Sequence, residues 1–132
     1  MTPLDVLRAV CLALPEAEER TTWDIPTFRV RGKIFAMAHP AKGRDSMWCK
    51  APRGVQAMLV EAAGDRFFVP PYVGHKGWIG LWLDQPLDRD ELAALVERSW
   101  RMTAPKRLAA GLDAAAADLR IAPAGPKSTR RK

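Results

Sequence analysis

PTFRVRGKIFAMA, residues 26–38, is the stretch on which the fold turns. Phe28 and Val30 alternate with Thr27, Arg29 and Arg31, the two-residue period of a strand with one buried and one wet face. Gly32 then interrupts, and a second β-prone run begins at Lys33. The stretch therefore reads as a β-hairpin whose tip, RVRGK, gathers Arg29, Arg31 and Lys33 in one tight connection; the turn register stays open at this level. Downstream, HPAKGRD (39–45) reads as a loop and SMWCK (46–50) as a third strand of the meander.

The remaining elements follow from punctuation and period. Residues 3–14 form a helix pattern: Thr2 caps it, Pro3 suits the first turn, Leu4, Leu7, Val10, Cys11 and Leu14 share a face, and Pro15 stops it. EAEERTTWDI (16–25) brings Glu16, Glu18 and Glu19 together with no histidine or metal-spaced partner, and reads as a solvated acidic turn. Pro52 opens a helix carrying Val55, Met58, Leu59 and Ala62, closed by Gly64. RFFVPPYV (66–73) is β-prone but broken by Pro70 and Pro71, which cannot donate to a ladder and mark an edge or a strand end. GWIGLWLD (77–84) is a strong strand with Ile79, Leu81 and Leu83 on one face and Trp78, Gly80 and Trp82 on the other. Asp88 and Glu91 make a capping-box start for a helix through Leu92, Leu95, Val96 and Trp100 that ends before Pro105, and DAAAADLRI (113–121) suits a short alanine-rich helix.

The resulting order is α-β(3)-α-β(2)-α. Grouped strands with short connections imply an α+β two-layer sandwich, an antiparallel sheet with helices on one face. The 132 residues fit one domain, assigned to 1–121. Of the net charge of +6, four positive charges (Lys127, Arg130, Arg131 and Lys132) fall in 122–132, leaving +2 on the domain; this Pro-rich basic tail is expected to be disordered. No apolar run approaches the roughly 20 residues of a membrane span, and the opening residues lack a basic leader or cleavage site, so a cytoplasmic protein is expected.

Three stretches together resemble the MmcQ/YjbR family of small bacterial proteins: PTFRVRGKIFA, PPYVGHKGWIGLWLD (70–84), and the helix that ends in APKRL (104–108). The likeness spans roughly residues 4–110. It implies an α-β(3)-α-β(2)-α sandwich like that of type III secretion chaperones. It also implies DNA binding through a double-wing arrangement, and one branch of the family is linked with mitomycin-resistance clusters. This chain departs from a common family form in which a histidine directly precedes the tryptophan: Gly77 stands there, and His75 lies two positions earlier.

For chemistry, His75 has only Lys76 beside it, no orienting acid, and no nucleophile motif accompanies it. The Gly74–Gly77 pair lacks phosphate-loop spacing, and His39 reads as a loop residue. Cys11 and Cys49, 38 positions apart, read as core thiols and exclude a zinc knuckle. The expectation is a non-enzymatic binding protein without metal or cofactor. In the DNA reading, Arg29, Arg31, Lys33, His75, Lys76 and Trp78 form two basic tips that contact phosphates and bases. The alternative is a protein, peptide or small-ligand module that uses Trp78 and Trp82 on an open sheet face.

Overall fold

A computed structural model describes residues 2–121. The expected basic tail, 122–132, lies outside the described residues. Helix α1 (Pro3–Leu12) starts at the foreseen cap, with the Asp5 amide donating to Thr2 Oγ1 and the Thr2 amide to Asp5 Oδ2, both at 3.1 Å. Four strands follow, β1 (Ala17–Thr22), β2 (Ile25–Val30), β3 (Lys33–Met37) and β4 (Ser46–Cys49). Then come α2 (Val55–Ala62), β5 (Phe67–Phe68), β6 (Ile79–Trp82), α3 (Arg89–Thr103) and α4 (Lys106–Ile121). The strands form one sheet in the order β1-β2-β3-β4-β6-β5, antiparallel at every pairing.

The α+β class and the single antiparallel sheet stand as read; the element order needs two corrections. The acidic segment is strand β1, not a turn, so four strands precede α2 where three were expected. Its three carboxylates are each matched by arginine: Glu16 with Arg31, Glu18 with Arg20, and Glu19 with Arg8 of α1. The alanine-rich helix is also longer than foreseen, starting directly after Pro105.

Two-residue turns build the meander. Trp23 and Asp24 (φ 51° and 62°) join β1 to β2, and Arg31 and Gly32 (φ 52° and 80°) join β2 to β3. Positive φ at both central positions is the type I′ geometry, whose twist matches that of the flanking strands. At β2–β3 the register shifts past Phe28, so that Phe35 is an extra residue, a bulge.

Alternation along the strands then sorts the side chains. Phe28, Val30, Phe35, Met47, Cys49, Phe67, Ile79, Leu81 and Leu83 face the helices and form the main core with Leu7, Leu92, Val96 and Trp100. Each such buried side chain contributes about 1.5–3 kcal/mol by leaving water. Apolar residues of α2 and α4 join the same core, so the helices share one face of the sheet. Met37, Trp48 and Trp78 form a second cluster on the opposite face, covered by loop residues such as Val73 and Ala41 instead of by a helix.

Candidate functional site

The two basic tips of the sequence lie at the same end of the sheet. Ala36 pairs with Cys49, and Cys49 with Ile79, which aligns the start of β3, the end of β4 and the start of β6. Lys33 therefore opens β3, Lys50 follows β4 by one residue, and Lys76 lies in the turn leading into β6. That turn, Gly74–Lys76, is a single 3-10 coil closed by the Gly77 amide donating to Gly74 O at 3.0 Å, with Gly77 at φ 88°. Gln56 of α2 fixes it from below by donating to Gly74 O (2.8 Å) and Trp78 O (2.6 Å). Among the described residues no carboxylate is ion-paired with Lys33, Lys50 or Lys76. Partial burial, with the positive charges of Lys33 and Lys76, holds the Lys50 ammonium below the ordinary lysine value.

The foreseen site residues separate into free and committed groups. Lys33, His75 and Lys76 are exposed. Arg31 is exposed at the turn but bound through two contacts to Glu16, at 2.5 and 3.1 Å. Arg29 is not at the tip. It lies two residues inward, donating to Gly32 O at 3.0 Å and Thr22 Oγ1 at 2.9 Å, so it braces both turns of the meander.

Trp78 and Trp82 occupy the helix-free face, as alternation requires, but they are not an exposed patch: only 7% and 6% of their surfaces reach solvent. Phe68 stacks on Trp82 with centroids 4.1 Å apart, and the Arg44 guanidinium sits 4.0 Å over the same ring while paired in two places with Asp84. Gly80 makes this possible, since a Cβ there would meet the Phe68 ring at 2.3 Å. Trp78 is thus a packing residue and offers no face to a base.

The exposed aromatics are two others. Trp23 is 73% exposed and Tyr72 80%, and both hold positive φ, 51° and 68°. Bulky residues rarely adopt that conformation, and its cost persists only where the surroundings impose it. With Met37, His39, Trp48 and Val73 they line a cavity of about 320 Å³ on the helix-free face. Its wall is a parallel stack of His39 on Trp48, centroids 3.8 Å apart and planes 8° apart. Ser46 braces the stack, accepting from Trp48 Nε1 at 3.1 Å and donating to the His39 carbonyl. The Trp-Asp turn inside TTWDIP was the one sequence signal for this site, because a tryptophan at the tip of a two-residue hairpin cannot be buried by its own strands.

Burial pushes the Cys11 thiol up, and that of Cys49 up to about 12, so neither is a thiolate near neutrality. Among the described residues no group of three or more His, Cys, Asp or Glu side chains could hold a metal.

The YjbR family model matches residues 12–102. The chain belongs to the YjbR family. The matched YjbR region holds both basic turns, Lys50 and all six cavity residues, and ends one residue short of the last residue of α3. Among solved structures this YjbR chain is similar to the Deinococcus radiodurans protein DR2400, which has a DUF419 domain. The TM-score is 0.66 at 22% identity, over 76% of this chain and 80% of that one, a likeness of fold. No curated protein matches the chain. No described helix of this YjbR protein is long and apolar enough to cross a membrane.

Proposed function

We propose that this YjbR domain is a non-catalytic binding protein whose partner is nucleic acid, held through its phosphates at the end of the sheet where Lys33, Lys50 and Lys76 gather. The observation that carries the reading is the convergence, at the ends of three adjacent strands, of three lysines that have no ion-paired carboxylate among the described residues. Such a cluster releases counterions when it meets a polyanion, and the repulsion from Lys33 and Lys76 that adds to burial in lowering Lys50 is relieved by a phosphate placed among the three. Two turns, Arg31-Gly32 and Gly74–Lys76, serve as the wings. Arg29 supports them as a brace, and His75 contributes exposed polar surface instead of acid–base chemistry.

Binding of a labelled oligonucleotide, followed against salt, tests the proposal. Affinity is expected to fall steeply with salt, and replacing Lys33, Lys50 and Lys76 by alanine to reduce the slope of log K against log salt by about two to three. A slope that survives the triple substitution but disappears on deleting residues 122–132 would assign the binding to the tail.

A further inference from the structure

The cavity behind Trp23 and Tyr72 lies on the helix-free face of the sheet, toward the end of β3 away from Lys33, and two of the three lysines, Lys50 and Lys76, lie a few residues along the chain from its lining. Lys50, one residue beyond β4, is two positions from Trp48 in the cavity wall, which puts their Cα atoms about 7 Å apart. Tyr72 and Val73, which close the cavity, lead within four residues to Lys76. The aromatic receptacle is therefore linked to Lys50 through β4 and to Lys76 through the 70–77 segment, while Lys33 stands at the far end of β3.

We infer that this cavity receives one unstacked nucleobase, so that the domain prefers single-stranded nucleic acid to duplex. The inference rests on the nucleic-acid reading above and names the form of the partner. At about 320 Å³ the cavity is roughly twice the 150 Å³ void that admits a benzene ring, the scale of one base. Its lining is aromatic and apolar, and stacking on such rings tolerates any base because every base has a π-face. Trp23 and Tyr72 are held outward by their backbone, ready to flank a ring, and a base paired inside a duplex has no such face to give. One polar group is specified. His39 Nδ1 lies 2.8 Å from the Pro40 carbonyl, which can only accept, so Nδ1 carries the proton in the neutral ring. Nε2 is then an acceptor for an exocyclic amine or ring N–H of the base.

The test uses the full chain and four probes at matched salt: a labelled single strand, its duplex, a strand of equal charge with abasic sites, and a free nucleoside as competitor. The single strand is expected to bind at least tenfold more tightly than the duplex or the abasic strand, and the nucleoside to compete weakly for it. Trp23→Ala and Tyr72→Ala remove side chains that are mostly in water, so both variants fold. Each is expected to weaken single-strand binding about tenfold while leaving duplex binding and the salt slope unchanged. Equal affinity for the single and abasic strands, or unchanged single-strand affinity in both variants, overturns the base pocket. If the lysine substitutions still flatten the salt slope in that case, phosphate binding stands and only the pocket falls. If they do not, the nucleic-acid reading falls as well.

Discussion

Ser99 is the residue whose removal tests the architecture most directly. Its hydroxyl, buried on α3, donates to the carbonyl of Phe35 at 2.5 Å and accepts the amide of Lys50 at 2.9 Å. Phe35 is the bulged residue of β3, and Lys50 lies just beyond β4, so both backbone groups rely on this hydroxyl in place of a ladder partner. Ser99→Ala leaves one donor and one acceptor unmatched. Orphaning a buried polar group costs about 1–3 kcal/mol, so the two together cost about 2–4 kcal/mol, given that Lys50 is only partly buried. For a chain of this length each kcal/mol lowers Tm by roughly 3–5 °C, which puts the expected loss at about 6–20 °C. Thermal unfolding by circular dichroism measures the loss, and amide hydrogen exchange locates it: the Lys50 amide should lose protection well before the amides of β6. A drop of under about 3 °C, with the Lys50 amide still protected, would refute the claim that this hydroxyl joins α3 to the bulge and to the basic end of the sheet.

Other perturbations separate structural from functional charge. Lys50 titrates low, so between its folded value and the ordinary 10.5 the unfolded chain binds more protons than the folded one; stability rises with pH across that window, and below it the charged ammonium is a liability. Lys50→Met is therefore expected to raise Tm at pH 7 while weakening oligonucleotide binding, a pairing that a purely structural lysine would not give. Arg29→Ala should lower Tm by several degrees through loss of its bonds to Gly32 and Thr22, whereas Lys33→Ala should leave Tm within about a degree and act on the salt slope alone. Gly80→Ala forces the Phe68 ring off Trp82, which near-ultraviolet circular dichroism will register as a lost aromatic signal together with a lower Tm. Both cysteines should stay unreactive toward a thiol reagent at pH 8 until the protein unfolds; fast modification of the native chain would contradict their burial.

The parts legible in the sequence are those governed by short periods. The 26–38 hairpin, the facing of Ile79 against Trp78, and the caps at Thr2 and Asp88 all depend on neighbours within a few residues. Strand β1 was invisible because AEERTT has no apolar alternation; its core-side position Glu19 is satisfied by Arg8, a partner on another element. The site divides in the same way. Lys33 and Lys76 stood out as tip residues, but Lys50 joins them only through strand register. Arg31 looked free until Glu16, 15 positions away, proved to hold it. Trp78 and Trp82 were placed on the correct face and given the wrong exposure, because the loops that cover that face arrive from distant parts of the chain.

The strands at the two margins of the sheet explain how the domain can display Trp23 and Tyr72 safely. An open sheet ends in rows of unmatched backbone donors and acceptors, an invitation to strand addition by another chain. Here one margin is β1, five of whose six residues, Glu18 to Thr22, are Glu, Arg or Thr, and the other is β5, two residues long and halted by Pro70 and Pro71. An approaching strand finds charge at one side and a proline-stopped stub at the other. Guarded against accretion along its length, the domain can leave large aromatic rings in water without becoming the seed of an aggregate.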